Sequence, residues 1–167
     1  MITEVYLGLG GNLGDRVENL RMGVAQLGER VGETEASSIY RTTPVGLAIQ
    51  PEYYNMVVRV WTRLTVFELM HVIRIIEADA GRTRKILNGP RTLDIDILLF
   101  GPMVLNSPSV IVPHPRLAER YFVMEPLAEL APSLRHPVLR LTSTELLSRL
   151  CLGPRRRGVG RPYEVSL

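Results

Sequence analysis

Residues 91–101 read Arg-Thr-Leu-Asp-Ile-Asp-Ile-Leu-Leu-Phe-Gly, and the pairs Gly89-Pro90 and Gly101-Pro102 close the stretch at both ends. From position 92 to 100 the residues are β-branched or large and apolar, apart from Asp94 and Asp96, which is how a strand between turns is written. Strand side chains alternate faces, so residues two apart project together, with Cα atoms roughly 6 to 7 Å apart. Asp94 and Asp96 therefore stand side by side. At an effective dielectric of about 20 their repulsion is on the order of 2 to 3 kcal/mol. A neutral residue would avoid that cost, and a bound cation would remove it. The whole chain has four aspartates, and this strand holds two of them.

Two readings of the pair stand open on the strand alone. Charges on a strand guard a sheet edge against pairing with other chains, with Arg91 neutralising one carboxylate. Alternatively the pair is a hard-metal site, since Mg²⁺ takes one or two carboxylates together with substrate phosphates and water. The residues around the strand have to decide.

The 167 residues fit one domain with a core of its own. Hydrophobic content of 46% beside 22% charged residues is that of a soluble globular chain, and no apolar run approaches the length of a membrane span. Met1-Ile2-Thr3-Glu4 lacks the basic start of a signal peptide. The expectation is a cytoplasmic protein. Cys151, as the single cysteine, excludes an internal disulfide and a cysteine zinc site. Net charge is only +3, yet every basic residue except Lys85 is arginine. The guanidinium fork binds phosphate oxygens bidentately, so where these arginines fall is informative.

A first strand is expected over residues 4–9, followed by Gly10-Gly11-Asn12-Leu13-Gly14. That run fits neither the dinucleotide nor the P-loop fingerprint; it is either an ordinary strand-to-helix turn or a ligand-lining loop. Asp15 is a good N-cap, and Val17, Leu20, Val24, Leu27 and Val31 form the apolar stripe of a first helix. A second strand is read over 36–41, then a ten-residue loop over 42–51, then a third strand over 53–61. Asn55 on that third strand offers two donors and an acceptor suited to the edge of a heterocycle, or else it bonds local backbone. Thr65 and Glu68 form a capping box for a second helix that ends at Gly81, on which His71 reads as structural.

Arg82, Arg84 and Lys85 follow at once and lead, with Arg91, straight to the aspartates. Cations beside paired carboxylates are what a metal-bound polyphosphate requires. Further on come short strands over 103–105 and 110–112, and His114 between Pro113 and Pro115. A helical stretch over 116–130 is expected to break at Pro126, and a last helix capped by Thr142 and Glu145 runs to about 150. Residues 153–167, with Arg155-Arg156-Arg157, read as a flexible basic tail.

The order through residue 100 is β-α-β-β-α-β, so the expected class is α+β: a ferredoxin-like core with a mainly antiparallel sheet. Two helices cover one face and a ligand cleft occupies the other. The aspartate strand is expected beside the first strand, in the centre of the sheet.

Beyond residues 89–101, the runs Gly10-x-Asn12-Leu13-Gly14, Tyr40-Arg41-Thr42-x-Pro44-x-Gly46, Gln50-Pro51-x-Tyr53-x-Asn55, Glu77-x-x-x-Gly81-Arg82-x-Arg84-Lys85 and Val112-Pro113-His114 occur in order. Together they resemble the 6-hydroxymethyl-7,8-dihydropterin pyrophosphokinase family over about residues 4–132. The resemblance implies transfer of the terminal diphosphate of ATP to the pterin hydroxymethyl group, with release of AMP, in folate biosynthesis.

It further implies that Asp94 and Asp96 hold two Mg²⁺ ions and that Arg82, Arg84 and Arg91 neutralise the transferred group. Glu77, His114 and Arg120 would contact ATP. Tyr53 and Phe122 would sandwich the pterin, whose amide edge Asn55, Thr42 and the backbone near Val45 would read. The implied organisation is one pyrophosphokinase domain over 1–152 with the tail appended, a monomer, and small-molecule substrates without membrane or nucleic-acid partners. Leu87-Asn88 depart from an Arg-Trp pair often found in the family. A palm-like nucleotidyltransferase would want a third acid on a neighbouring strand, and an RNA-binding module would show aromatic platforms where this chain has aspartates.

Overall fold

The computed structural model describes residues 1–42, 51–81 and 91–152, together with the backbone of Tyr163–Glu164. In chain order the elements are β1 (Thr3–Gly11), α1 (Arg16–Arg30), β2 (Gly32–Ala36), β3 (Tyr40–Thr42), β4 (Tyr53–Thr62), α2 (Val66–Asp79) and β5 (Asp94–Phe100). There follow β6 (Leu105–Asn106), β7 (Ile111–Val112), a 3-10 turn (Leu117–Glu119), α3 (Tyr121–Leu130), α4 (Ser143–Leu152) and β8 (Tyr163–Glu164).

The two expected caps are in place. The Asp15 side chain accepts from Glu18 N–H at the start of α1, and Thr65 and Glu68 close a reciprocal capping box at the start of α2. Each satisfies backbone donors that the first helical turn leaves without an intrahelical partner.

The main sheet is antiparallel in the order β5-β1-β4-β3-β8, with β2 also pairing β4. This is the expected α+β, ferredoxin-like arrangement, with one correction. The aspartate strand does lie beside β1, but at an edge rather than in the centre; β1 and β4 are the middle strands. On β5 the Ile95 N–H goes to the Glu77 side chain of α2 at 2.9 Å, which satisfies a donor that an edge strand leaves without a ladder partner.

Two smaller expectations are also corrected. The single second strand is two, β2 and β3, interrupted at residues 37–39. There Ser37 Oγ accepts from Val57 N–H at 2.9 Å and Ser37 N–H donates to the Val57 carbonyl at 2.9 Å, so one residue takes over both bonds and the ladder kinks. The C-terminal helix does not break at Pro126, which lies inside α3; the interruption comes earlier, at Arg120, whose extended backbone (φ −115°, ψ 112°) separates the 3-10 turn from α3. Of the tail expected to be flexible, the described backbone at Tyr163–Glu164 pairs with β3, and residues 153–162 and 165–167 lie outside the described set.

Two apolar clusters sandwich the sheet. Leu20, Leu27, Leu69, Ile73 and Ile76 of α1 and α2 pack on Val5, Leu7, Leu9, Val58, Ile95 and Ile97. On the opposite face Val123, Met124, Leu127 and Leu146 of α3 and α4 pack on Tyr6, Val57, Leu98 and Leu99. The face expected to be open to ligands is thus partly roofed by the C-terminal helices, and its end bearing Asp94, Asp96 and Asn55 lies outside that apolar cluster.

Candidate active site

Asp94 is paired with Gly10 and Asp96 with Gly8 across the β1–β5 ladder. On the other side of β1, Gly10 pairs with Asn55 and Gly8 with Val57. Since cross-strand partners share a face, the line Asp94, Gly10, Asn55 crosses three strands on one side of the sheet. Its middle has no side chain. A Cβ at Gly10 would lie 2.7 Å from Asn55 Oδ1, so the glycine leaves the space between carboxylate and amide open. The glycines read from the sequence as a turn or loop are in part the floor of a cleft.

Asn55 is buried, and its Nδ2 donates to Thr42 Oγ1 at 3.0 Å. Its partner is a side chain on the neighbouring strand rather than local backbone. Thr42 pairs with Tyr53 and Tyr40 with Asn55, which brings three of the expected pterin contacts onto two adjacent strands. Tyr53 and Phe122 are half-buried. Arg120 lies with its guanidinium 5.6 Å from the centre of the Phe122 ring, within cation–π range.

Each aspartate has cationic company. Arg91 forms an ion pair with Asp94, while Arg120 Nη1 lies 3.7 Å and His114 Nε2 3.9 Å from Asp96 Oδ2. The His114 N–H donates to the Leu98 carbonyl at 2.8 Å, and its Nδ1 accepts from Arg116 N–H at 3.1 Å. An Nδ1 that accepts leaves Nε2 to carry the ring proton, so the N–H points toward Asp96. Burial, then the neighbouring Asp94 charge, pushes the Asp96 carboxyl above the ordinary carboxylate range, against the opposing pull of His114, Arg120 and Arg91. Burial likewise holds His114 below the usual imidazole value, although Asp96 works in the other direction.

The donor set fits a hard cation. Among the described residues no cluster of three or more His, Cys, Asp or Glu could hold a metal alone. Two same-face carboxylates are nonetheless what Mg²⁺ uses when phosphate and water complete its shell. Burial is the larger cause of the raised Asp96 value; the Asp94 charge, which adds to it, is the repulsion such a cation would relieve.

Arg82, Arg84 and Val45 lie outside the described residues. Glu77 is buried on α2, where its Oε1 accepts from the N–H of Ile95, the residue between the two aspartates. Asn12, to which the sequence attached no role, is buried and grips the entry to β5. Its Oδ1 accepts from Arg91 N–H at 2.9 Å, and Asn12 and Leu13 N–H donate to the Arg91 carbonyl at 2.9 and 3.1 Å. Its one sequence signal was an amide beside glycines that permit close backbone approach; a Cβ at Gly11 would lie 2.3 Å from the Thr92 carbonyl oxygen.

The family model for 7,8-dihydro-6-hydroxymethylpterin-pyrophosphokinase (HPPK) matches residues 6–132. The 2-amino-4-hydroxy-6-hydroxymethyldihydropteridine pyrophosphokinase of Bacillus subtilis is 48% identical over 132 residues, which cover 78% of this chain and 79% of that protein. The Pseudomonas aeruginosa protein of the same name is 42% identical over 140 residues, 82% of this chain and 86% of that protein. The folic acid synthesis protein fol1 of Pneumocystis carinii is 35% identical over 87% of this chain, but the chain spans only 20% of its length. Among solved structures, a Plasmodium falciparum HPPK-DHPS chain with pteroate superposes with a TM-score of 0.75 at 15% identity, over 100% of this chain and 48% of that one. That likeness shows the fold, over about half of the longer protein. With the family model matched across the sheet and the aspartate strand, and bacterial relatives aligned over most of both lengths, the chain belongs to the 7,8-dihydro-6-hydroxymethylpterin-pyrophosphokinase family.

Proposed function

We propose that the cleft around Asp94 and Asp96 transfers the terminal diphosphate of ATP to the hydroxymethyl group of 6-hydroxymethyl-7,8-dihydropterin and releases AMP. Family membership and the names of the bacterial relatives support ATP-dependent pyrophosphoryl transfer to hydroxymethyldihydropterin in folate synthesis. The observation that supports carrying the reading to residues is the line Asp94, Gly10, Asn55, with a carboxylate suited to a metal-bound phosphate on one side of a glycine floor and an amide suited to a pterin edge on the other.

In the reaction the substrate hydroxyl oxygen forms a bond to the β-phosphorus as the bond from that phosphorus to the AMP oxygen breaks; the hydroxyl proton leaves to Asp96 or to solvent. No nucleophilic side chain is needed, because such transfers depend on positioning and charge stabilisation. Asp94 and Asp96 hold Mg²⁺, two ions in the family-based reading. Bound Mg²⁺ would neutralise and orient the phosphate oxygens. Arg91, with Arg82 and Arg84, stabilises charge on the transferred group. Arg120 and His114 contact the nucleotide phosphates, and Glu77, besides holding β5, serves the nucleotide side. Tyr53 and Phe122 stack on the pterin, while Asn55, Thr42 and the backbone at Val45 read its edge.

The working unit is a monomer over residues 1–152 with the 153–167 tail appended, acting in the cytoplasm. Among the described residues no helix is long and apolar enough to cross a membrane. The test is AMP formation from ATP with and without Mg²⁺ and the pterin. Release should require both, and Asp96→Asn should abolish it while the circular dichroism spectrum is unchanged; an undiminished rate in that variant would refute the metal assignment.

A further inference from the structure

The cleft has two walls on different layers of the fold. Phe122 stands on α3, whereas Thr42 and Asn55 stand on β3 and β4. Beside the apolar packing of α3 on β4, one carboxylate joins the two layers directly. Glu129 Oε1 accepts from the Ser38 N–H at 2.9 Å and from Ser38 Oγ at 3.0 Å, and Oε2 accepts from the Tyr40 hydroxyl at 2.5 Å. Seven residues are close to two full helical turns, so Glu129 lies on the same side of α3 as Phe122. At its other end the contact reaches Tyr40, the cross-strand partner of Asn55, and Ser38, in the kink from which β3 starts.

Resting on the pterin reading above, we propose that Glu129 is a positioning residue that sets the spacing between Phe122 and the Thr42–Asn55 wall, and so the affinity for the pterin. Two features separate this role from general stabilisation. Glu129 is exposed, and its removal returns Ser38 and Tyr40 to water rather than leaving buried groups without partners. β3 is three residues long and Tyr40 begins it two residues before Thr42, so a side chain bonding Tyr40 from the α3 side bears directly on the placement of Thr42.

The experiment compares Glu129→Ala, Glu129→Gln and Tyr40→Phe with wild type in the pterin-dependent AMP assay, with thermal unfolding measured alongside. Glu129→Ala should raise the KM for the pterin about tenfold, roughly the worth of one charge-assisted hydrogen bond, while kcat and the KM for ATP stay within about twofold. Glu129→Gln should restore most of the loss, because its amide oxygen still accepts from Ser38 and its NH₂ can donate to the Tyr40 oxygen. Tyr40→Phe, which removes one hydroxyl only, should raise the pterin KM by a smaller factor. An unchanged pterin KM in Glu129→Ala and Tyr40→Phe would overturn the proposal, as would equal losses for both substrates with a lowered Tm. A wild-type protein with no pterin-dependent release would instead overturn the functional reading, and the Glu129 role with it.

Discussion

Asn12 and Arg91 are joined through both backbone polar groups of the arginine: Asn12 Oδ1 takes the Arg91 N–H and Asn12 N–H gives to the Arg91 carbonyl, each at 2.9 Å. Arg91 in turn pairs with Asp94. The turn after β1 thus fixes the orientation of the first aspartate through one intermediate residue. Asn12→Ala removes the buried acceptor and should cost about 1 to 3 kcal/mol of stability. Urea unfolding measures that loss, and AMP release should fall more steeply than stability alone accounts for. Activity equal to wild type per folded molecule would show that Arg91 keeps its place without Asn12.

Gly10→Ala places a methyl group 2.7 Å from Asn55 Oδ1. The Asn55 amide is the end of a side chain and can turn away, so the fold should survive. The pterin side of the cleft should not: its KM is expected to rise by an order of magnitude or more while the KM for ATP changes little. Steady-state kinetics with each substrate varied in turn reads the difference. Equal changes in both constants would show that the floor serves the two substrates alike.

His136 offers a prediction on pH that is independent of catalysis. It is buried, and its Nδ1 accepts from Val138 and Leu139 N–H at 3.2 and 3.1 Å, so the folded protein requires the neutral ring. Burial holds its pKa below the ordinary imidazole value. A histidine with a depressed folded pKa contributes its full stability above the unfolded value of about 6.5, and loses it as pH falls toward the folded value. Stability by denaturant titration should therefore decline below about pH 6.5. His136→Asn keeps an acceptor for the turn but no titrating ring, and should flatten that part of the profile; an identical slope in the variant would assign the decline to other groups.

What was legible in the sequence was local. Asp15, the Thr65–Glu68 box and the apolar stripes of α1 and α2 announce themselves because caps and helical periodicity are set by neighbours within a few residues. Asp94 and Asp96 were legible as a pair because strand alternation is equally local, and the order of motifs carried the family. The edge position of β5 was not legible, since pairing order depends on which strands meet across tens of residues. Nor was the split of β2 from β3, where one serine hydroxyl replaces a ladder bond, an outcome that differs little in sequence from an ordinary strand serine. Pro126 misled for a definable reason: proline in a helix forfeits one N–H, but α3 is held by the apolar packing of Val123, Met124 and Leu127 on the sheet, and that burial outweighs the missing bond. Asn12, Glu77 and Glu129 act across 79, 18 and about 90 residues respectively, through atoms whose partners no local pattern specifies.

The register of β1 against β5 shifts between Tyr6 and Leu7, so that Leu98 is passed over in the pairing. Before that point alternate residues send Asp94 and Asp96 one way and Ile95 and Ile97 the other; after it Leu98 and Leu99 pack consecutively into the α3–α4 cluster. The strand is in effect two instruments joined by a swivel. Its first half is aimed by chemistry and its second by oil. Deleting Leu98 would close the ladder into one unbroken register with Asp94, Asp96 and Leu99 still on one face, and the cost would fall on the α3–α4 cluster, which would lose one of its two adjacent leucines.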